Sequence, residues 1–196
     1  MVGTSVLHVK PSTLESSTMR VPSLTAALLA AGATFFLVQP ASAQTAAPSL
    51  NDATIVAIFD AANTADIETG TIAVEKGSTS AVRDYGAMLV RDHSAVRQQG
   101  RDLAAKLGVT PTPPADDASA KAHADAMKSL RALKGEAFDR AFLQHEVAFH
   151  KAVIDAINST LLPAIQNAEV RALVVQVAPA FQAHMLGAEH LLKQAK

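Results

Sequence analysis

The chain has 196 residues, with 17 Lys and Arg against 18 Asp and Glu, a formal charge of −1, and no cysteine. Interspersed charges that nearly cancel provide no electrostatic footprint for nucleic acid and no basic face for anionic lipid. The missing thiols exclude disulfides, thiol redox chemistry and thiolate metal sites, and a chain with no Trp and one Tyr lacks a stacking platform for sugars or bases.

The first predicted element is an export signal. Met19-Arg20 is a short basic start, Ala26 to Val38 is a nearly unbroken apolar run, and Ala41-Ser42-Ala43 places small residues before Gln44. That order is a secretory signal peptide over residues 1–43. Met1 to Thr18 are polar and unlike a signal's basic region, so Met19 reads as the true start. An uncleaved anchor is the rival reading, but the apolar run is shorter than the roughly 20 residues that span a bilayer, and Gln39-Pro40 ends it. Cleavage is expected to deliver a periplasmic protein without an integral membrane span.

Residues 44–50 read as a tether and 51–196 as a single domain. A helix is predicted over Asp52 to Lys76, where Ile55, Phe59, Ala62, Ala65 and Ile72 recur at three- and four-residue steps. Gly77 stands where a left-handed cap is expected, and Ser78 and Ser80 can cap the next start. The second helix covers Ala81 to Leu107, with Val82, Tyr85, Leu89, Val96, Leu103 and Leu107 inward and Gly108 as its stop. Pro111-Thr112-Pro113-Pro114 makes a stiff crossover, followed by a short, weakly apolar helix from Asp116 to Leu133 that Gly135 interrupts. The third main helix covers Glu136 to Asn158, with Phe138, Phe142, Phe149, Val153 and Ile157 inward. A loop through Pro163 leads to the fourth, Ala168 to Gln194, which Pro179 should bend by leaving the Val175 carbonyl without its donor. Two hairpins joined by a crossover that carries a short extra helix make an all-α, up-down four-helix bundle. A weak internal repeat supports the pairing: Val82-Arg83 opens the second helix as Val170-Arg171 opens the fourth.

Four residues interrupt the apolar stripes: Glu68, His93, His150 and His184, one from each main helix. A carboxylate buried without a partner is costly, and a divalent cation would satisfy all four groups at once. A single inward histidine is more often a satisfied core residue, so a metal-free hydrogen-bond network competes with the metal site. Height along the bundle also matters. With both hairpin turns placed at the same end, Glu68 and His93 differ by a level of roughly 8 Å at 1.5 Å per residue. Asp92 and Glu146 are expected to flank and orient imidazoles. Glu75 reads as exposed, Asp139 as a dipole partner near a helix start, and Tyr85 and His145 as secondary candidates, while His123 and His190 read as solvated. The five methionines form no copper-type cluster.

Ala65-Asp66-Ile67-Glu68-Thr69-Gly70 with Ala73, then Val90-Arg91-Asp92-His93, resembles the first hairpin of the bacterial family called domain of unknown function 4142. Gly135-Glu136-Ala137-Phe138-Asp139-Arg140, His150, and Pro179-Ala180-Phe181-Gln182-Ala183-His184 with Ala188 resemble the second. The resemblance covers Asn51 to Leu192. It implies a ferritin-like, exported four-helix bundle in a family without an established activity. A di-iron site of the ferritin kind needs a glutamate three residues before two of its histidines, where this chain has Val90 and Phe181. Zinc or copper therefore suits the ligands better than di-iron.

Three readings follow. The preferred one is a periplasmic metal-binding module with Glu68, His93, His150 and His184 as ligands. The second is a metal-free structural or interaction module of the cell envelope. An enzyme comes last, since no nucleophile–base pair, phosphate loop or cofactor motif supports it. The sequence names no partner and is compatible with a homo-oligomer. Intact-mass analysis of the periplasmic protein should place its N-terminus at or near Gln44. Retention of the apolar run in a membrane fraction would reverse the export reading.

Overall fold

Asn51 starts the bundle by accepting a hydrogen bond on its side chain from the Thr54 N–H at 2.9 Å, a helix N-cap. The computed structural model describes residues 50–115 and 118–194, all within one unit, Thr45–Lys196. The export segment, most of the tether and Asp116 lie outside the described residues.

The main helices are α1 (Asp52–Lys76), α2 (Ser80–Leu107), α4 (Gly135–Ala156) and α6 (Ala168–Gln194), with α3 (Ala118–Ala132) in the crossover. A π-helical turn, Ile157–Leu161, and the three-residue α5 (Leu162–Ala164) finish the second hairpin. No strand occurs among the described residues, and none of their helices is long and apolar enough to cross a membrane. Pro179 lies inside α6, as expected. Gly108 adopts the left-handed conformation (φ 64°) that stops α2, and Gly135, the first residue of α4, also has positive φ (60°). Gly77 does not adopt it. Its φ is −53° and ψ 126°, and the glycine is needed for space instead, since a Cβ there would lie 2.7 Å from the Ala73 carbonyl. Thr79, rather than either serine, caps α2.

The hairpin turns lie at opposite ends, not at the same one. Asp139, at the start of α4, accepts from the Ser78 and Thr79 N–H groups of the α1–α2 turn. Asp52, at the start of α1, accepts from the Gln166 and Asn167 N–H groups of the α4–α6 turn. The crossover makes this possible. Thr112 N–H bonds to the Ala53 carbonyl at one end, and Lys76 bonds the last carbonyls of α3, Leu130 and Arg131, at the other. At about 1.5 Å per residue, a 15-residue helix covers most of that length. Spatial neighbours around the bundle run α1, α2, α6, α4 and are all antiparallel. The internal repeat has a physical meaning too: Arg83 bonds the Gly77 carbonyl and Arg171 the Ile165 carbonyl, each tying its own turn.

The apolar core is divided in two. Ile55, Phe59, Ile157, Val170, Val174 and Phe181 fill the end at the α4–α6 turn. Tyr85, Leu89, Met127, Phe138, Phe142 and Leu143 fill the other. Above the dividing layer α1 and α2 approach backbone to backbone at Gly70 and Gly86, where a Cβ on Gly86 would come within 2.7 Å of both the Ala73 Cβ and the Gly70 carbonyl. Neither neighbour can rotate away. Gly86→Ala should therefore cost about 1–3 kcal/mol, the usual range for overpacking. Gly187→Ala meets only the Tyr85 ring at 3.2 Å; the better helix propensity of alanine, about 1 kcal/mol, offsets much of that strain. Urea denaturation that found the two variants equally stable would contradict this packing.

Candidate metal centre

Between the two apolar clusters lies a layer of buried polar side chains: Asn63 and Asp66 from α1, His93 from α2, Glu146 and His150 from α4, and His184 from α6. The three imidazoles gather around one point, with ring centroids 5.0 Å (His93–His184), 5.5 Å (His150–His184) and 5.6 Å (His93–His150) apart. Phe181 packs edge-on against His93 at 5.1 Å and walls one side.

Hydrogen bonds set the protonation of each ring. Asn63 donates its amide to the Phe59 carbonyl at 2.8 Å, which turns its oxygen toward His93 Nδ1 at 2.9 Å. His93 must therefore donate from Nδ1, and its Nε2 carries the lone pair. His184 donates from Nε2 to Asp92 at 3.2 Å, which leaves the Nδ1 lone pair. His150 donates from Nδ1 to the Glu146 carbonyl at 2.9 Å, and its Nε2 has no hydrogen-bond partner. The nitrogens His93 Nε2 and His184 Nδ1 face each other at 3.1 Å. Two neutral rings placed between two acceptors have protons for the outer contacts and none for that central one. Protonation is opposed by burial, which brings His93 down to about 3 with help from His184 and His150, and His150 down to about 4. His184 is lowered as well, first by burial. A metal cation fits the gap: two nitrogens on a tetrahedral zinc, at roughly 2.05 Å each, would stand about 3.3 Å apart.

Two buried carboxyls complete the layer. No backbone N–H, amide or hydroxyl makes a regular hydrogen bond to the Asp66 or Glu146 carboxyl, Thr69 turning its hydroxyl to the Asp66 carbonyl, and the two carboxyls interact directly with each other. Asp66 lies 3.4 Å from His93 Nδ1 and 3.8 Å from His150 Nε2. Burial, then the neighbouring Glu146, raises Asp66 well above the usual carboxylate range, and burial raises Glu146 to about 7. One ligand atom from each of His93, His150 and His184, and likewise of Asp66, Glu146 and His150, fall within 4.8 Å of one another. Buried His, Asp and Glu groups that could hold a metal ion are thus present.

Sequence expectation and geometry agree for the three histidines. They part at Glu68, whose side chain is 49% exposed and bonds His123 Nε2 at 2.7 Å. The cause is helix phase, because positions 66 and 68 lie about 200° apart around α1, and Asp66 takes the inward place. The signal was the run Phe59, Asn63, Asp66, Gly70, Ala73 at three- and four-residue steps. His123 is correspondingly not solvated, while His190 pairs with Gln194 in an exposed position. Asp92 orients an imidazole as expected, though that of His184; burial alone would raise it, but hydrogen bonds from Arg91 and His184 lower it. Glu146 orients His150 through its backbone carbonyl, and its carboxylate faces the centre. Tyr85 donates to the His184 carbonyl at 2.9 Å, Asp139 staples the opposite turn, and Glu75 is exposed.

Fold and centre define an all-α four-helix bundle with a buried histidine–carboxylate layer. The profile of the family "Domain of unknown function (DUF4142)" matches residues 37–191, and the chain belongs to that family. No curated protein matches it. Among solved structures it is similar to the crystal structure of a DUF305 fragment from Deinococcus radiodurans, with a TM-score of 0.64 and 17% identity over 72% of this chain and 95% of that one. At that identity the likeness concerns the fold alone.

The shifts make a prediction for the metal-free protein. Unfolded histidines titrate near 6.5, while His93 is held down to about 3 and His150 to about 4, so below 6.5 the unfolded chain binds protons that the fold refuses. Stability is lost as pH falls there. Unfolded glutamate titrates near 4.5 while Glu146 does so near 7, so stability is lost as pH rises between those values. The two slopes oppose each other from about 4.5 to 6.5. Denaturation in excess chelator should show a broad maximum in that window, with a decline on either side. A steady rise in stability up to pH 8 would be incompatible with buried, unpaired carboxyls.

Proposed function

We propose that this protein is an exported, periplasmic metal-binding module that holds one divalent cation, zinc or copper, in the buried layer. One observation carries the reading. Each of three imidazoles is anchored on its outer nitrogen by an oxygen, and the three inner lone pairs converge. That is the arrangement by which outer partners fix the tautomer of metal-ligating histidines. Asp66 and Glu146 supply two negative charges, which match those of a divalent ion. The imidazole content favours zinc or copper over calcium or magnesium, which prefer oxygen ligands. The export half of the proposal is supported by the signal pattern from Arg20 to Gln44. A metal-free structural module is the alternative, supported by the way these same hydrogen bonds link α1 to α2 and α2 to α6.

Zinc or copper should raise the melting temperature of chelator-stripped protein at neutral pH. At about 100 times the dissociation constant the gain is roughly 2.7 kcal/mol. Protons compete for the ligands. Affinity should fall below pH 7, where Glu146 takes up its proton, and the effect should vanish toward pH 4, where His150 does. His93→Ala with His184→Ala should abolish the response, and His123→Ala should leave its equilibrium size unchanged. Equal responses in the double variant and the parent would refute the site. No response in the parent, with the double variant much less stable, would favour the metal-free module.

A further inference from the structure

The outer face of α6 differs from that of the other main helices. Between Arg171 and Glu189 the sequence carries no Asp, Glu, Lys or Arg. Every exposed position from Ala172 to Leu186 is alanine, valine, glutamine, proline or leucine. The exposed faces of α1, α2 and α4 hold charges, among them Glu75, Arg91 and Lys151. Val175 and Leu186, 54% and 52% exposed, are two of the three large hydrophobic side chains exposed among the described residues. They stand eleven residues apart, about three turns, and so share one stripe, with exposed Pro179 between them. From Ala172 to Leu186 the stripe is about 21 Å long at 1.5 Å per residue. Single exposed apolar residues are ordinary, but a face without charge along most of a helix marks a contact surface.

The charges at its two ends indicate what covers it. Arg171 and Glu189 close the stripe eighteen residues apart, five full turns, so opposite charges lie on one flank of the helix. Arg171 is exposed and Glu189 half-buried. In a two-fold pair of antiparallel helices each flank meets the same flank of the partner, reversed in direction. Such a pair sets Arg171 of one copy against Glu189 of the other, twice, and sets Val175 against Leu186. Both pairs have the same midpoint, Ala180, to within half a residue, so one register satisfies charge and apolar contact together. A parallel pair would place Arg171 beside Arg171 and Glu189 beside Glu189, and the like charges would repel. Anionic lipid is a poor occupant, because the polar positions along the stripe are glutamines rather than the Lys and Arg that hold a helix on a membrane surface.

We propose that the outer face of α6 is a homodimer interface, on which a second copy of this chain packs antiparallel about a two-fold axis beside Ala180. The centre of the contact is apolar and its rim is charged, the usual anatomy of an interface. One pair of helix faces of this length is small against the roughly 1,600 Å² of a standard interface, so the dimer is reversible and concentration-dependent. It does not depend on whether the buried layer holds a metal.

Sedimentation velocity over a range of concentrations should show a monomer–dimer equilibrium for the protein purified from its producing cells. Val175→Glu with Leu186→Glu should raise the dissociation constant on the order of a hundredfold, since each copy would then bury carboxylates against the other's. Both positions are exposed, so the helix content should match the parent's by circular dichroism. The chain has no cysteine, which lets disulfide trapping read the direction of the pair. Under mild oxidation an equal mixture of Val175→Cys and Leu186→Cys should give a cross-linked dimer of the two. Each variant alone should link far less, because its own thiols would lie roughly 16 Å apart along the helix axis at 1.5 Å per residue. The cysteine variants decide the matter even if the glutamates prevent folding. A parent that stays monomeric at every concentration would overturn the interface, whether or not a different protein binds the face. A dimer that the double variant leaves intact would overturn it too. Linking of each cysteine variant with itself, and not with the other, would overturn the antiparallel second copy.

Discussion

Asp66 and Glu146 are buried together in the middle of four helices, where burial and their mutual proximity push the carboxyls toward the protonated form, and the rest of the architecture is arranged around that. An isolated buried charge costs several kcal/mol even after relaxation. The protein has two ways out. Protons can occupy the carboxyls, which the raised pKa of Glu146 describes, or a cation can neutralise both at once. The outer hydrogen bonds of the histidines turn three lone pairs inward toward the same place, which is the geometry behind the proposed metal site. In the absence of metal the layer is a weak plane between two good apolar clusters.

Such a plane has to be held from outside, and the ends of the bundle do this. Asp139 and Asp52 each reach from one hairpin to the turn of the other, binding successive backbone N–H groups that a turn leaves unpaired. The crossover is fastened at both ends, by Thr112 to Ala53 and by Lys76 to the end of α3. Close approach at Gly70 and Gly86 fixes α1 against α2, and so fixes the height of Asn63 and Asp66 relative to His93. The positions of the ligand-type side chains thus depend on contacts far from them.

Much of this was legible in the sequence. The bounds of α1 and α6 follow from apolar period and punctuation, and the three inward histidines follow from their places in the stripes. What failed was the choice between neighbouring faces on α1. That helix is apolar or small over most of its circumference, with Ile55, Val56, Ala57 and Phe59 all buried, so its stripe does not single out one phase. Glu68 was the stronger ligand type, and Asp66 was passed over. The height argument was nearer the truth than the stripe. His93 lies near the middle of α2, and a partner at its level on α1 must stand well below Glu68, where Asn63 is found 2.9 Å away. The placement of the turns at one end failed for a different reason. The crossover helix was expected between Asp116 and Leu133, but its reach was not weighed: at 15 residues it returns the chain to its starting end.

The internal repeat, finally, explains why the layer is not symmetric. The same offset in the chain separates Asp52 from Asp139 and Asn63 from His150, so α1 and α4 are counterparts, as are α2 and α6 through Arg83 and Arg171. A repeat carried through would put a histidine on α1 where α4 has His150. At the α1 corner the chain has Asn63 instead, with its amide tied to the Phe59 carbonyl and only its oxygen left to offer. That oxygen fixes the tautomer of His93 and so determines which nitrogen points inward. Asp66, one helical turn further on, brings the negative charge that a fourth imidazole would lack. An all-histidine layer could bind a divalent ion only by leaving two positive charges buried. Three imidazoles and two carboxylates would leave none, so the broken symmetry is consistent with the proposed dication site.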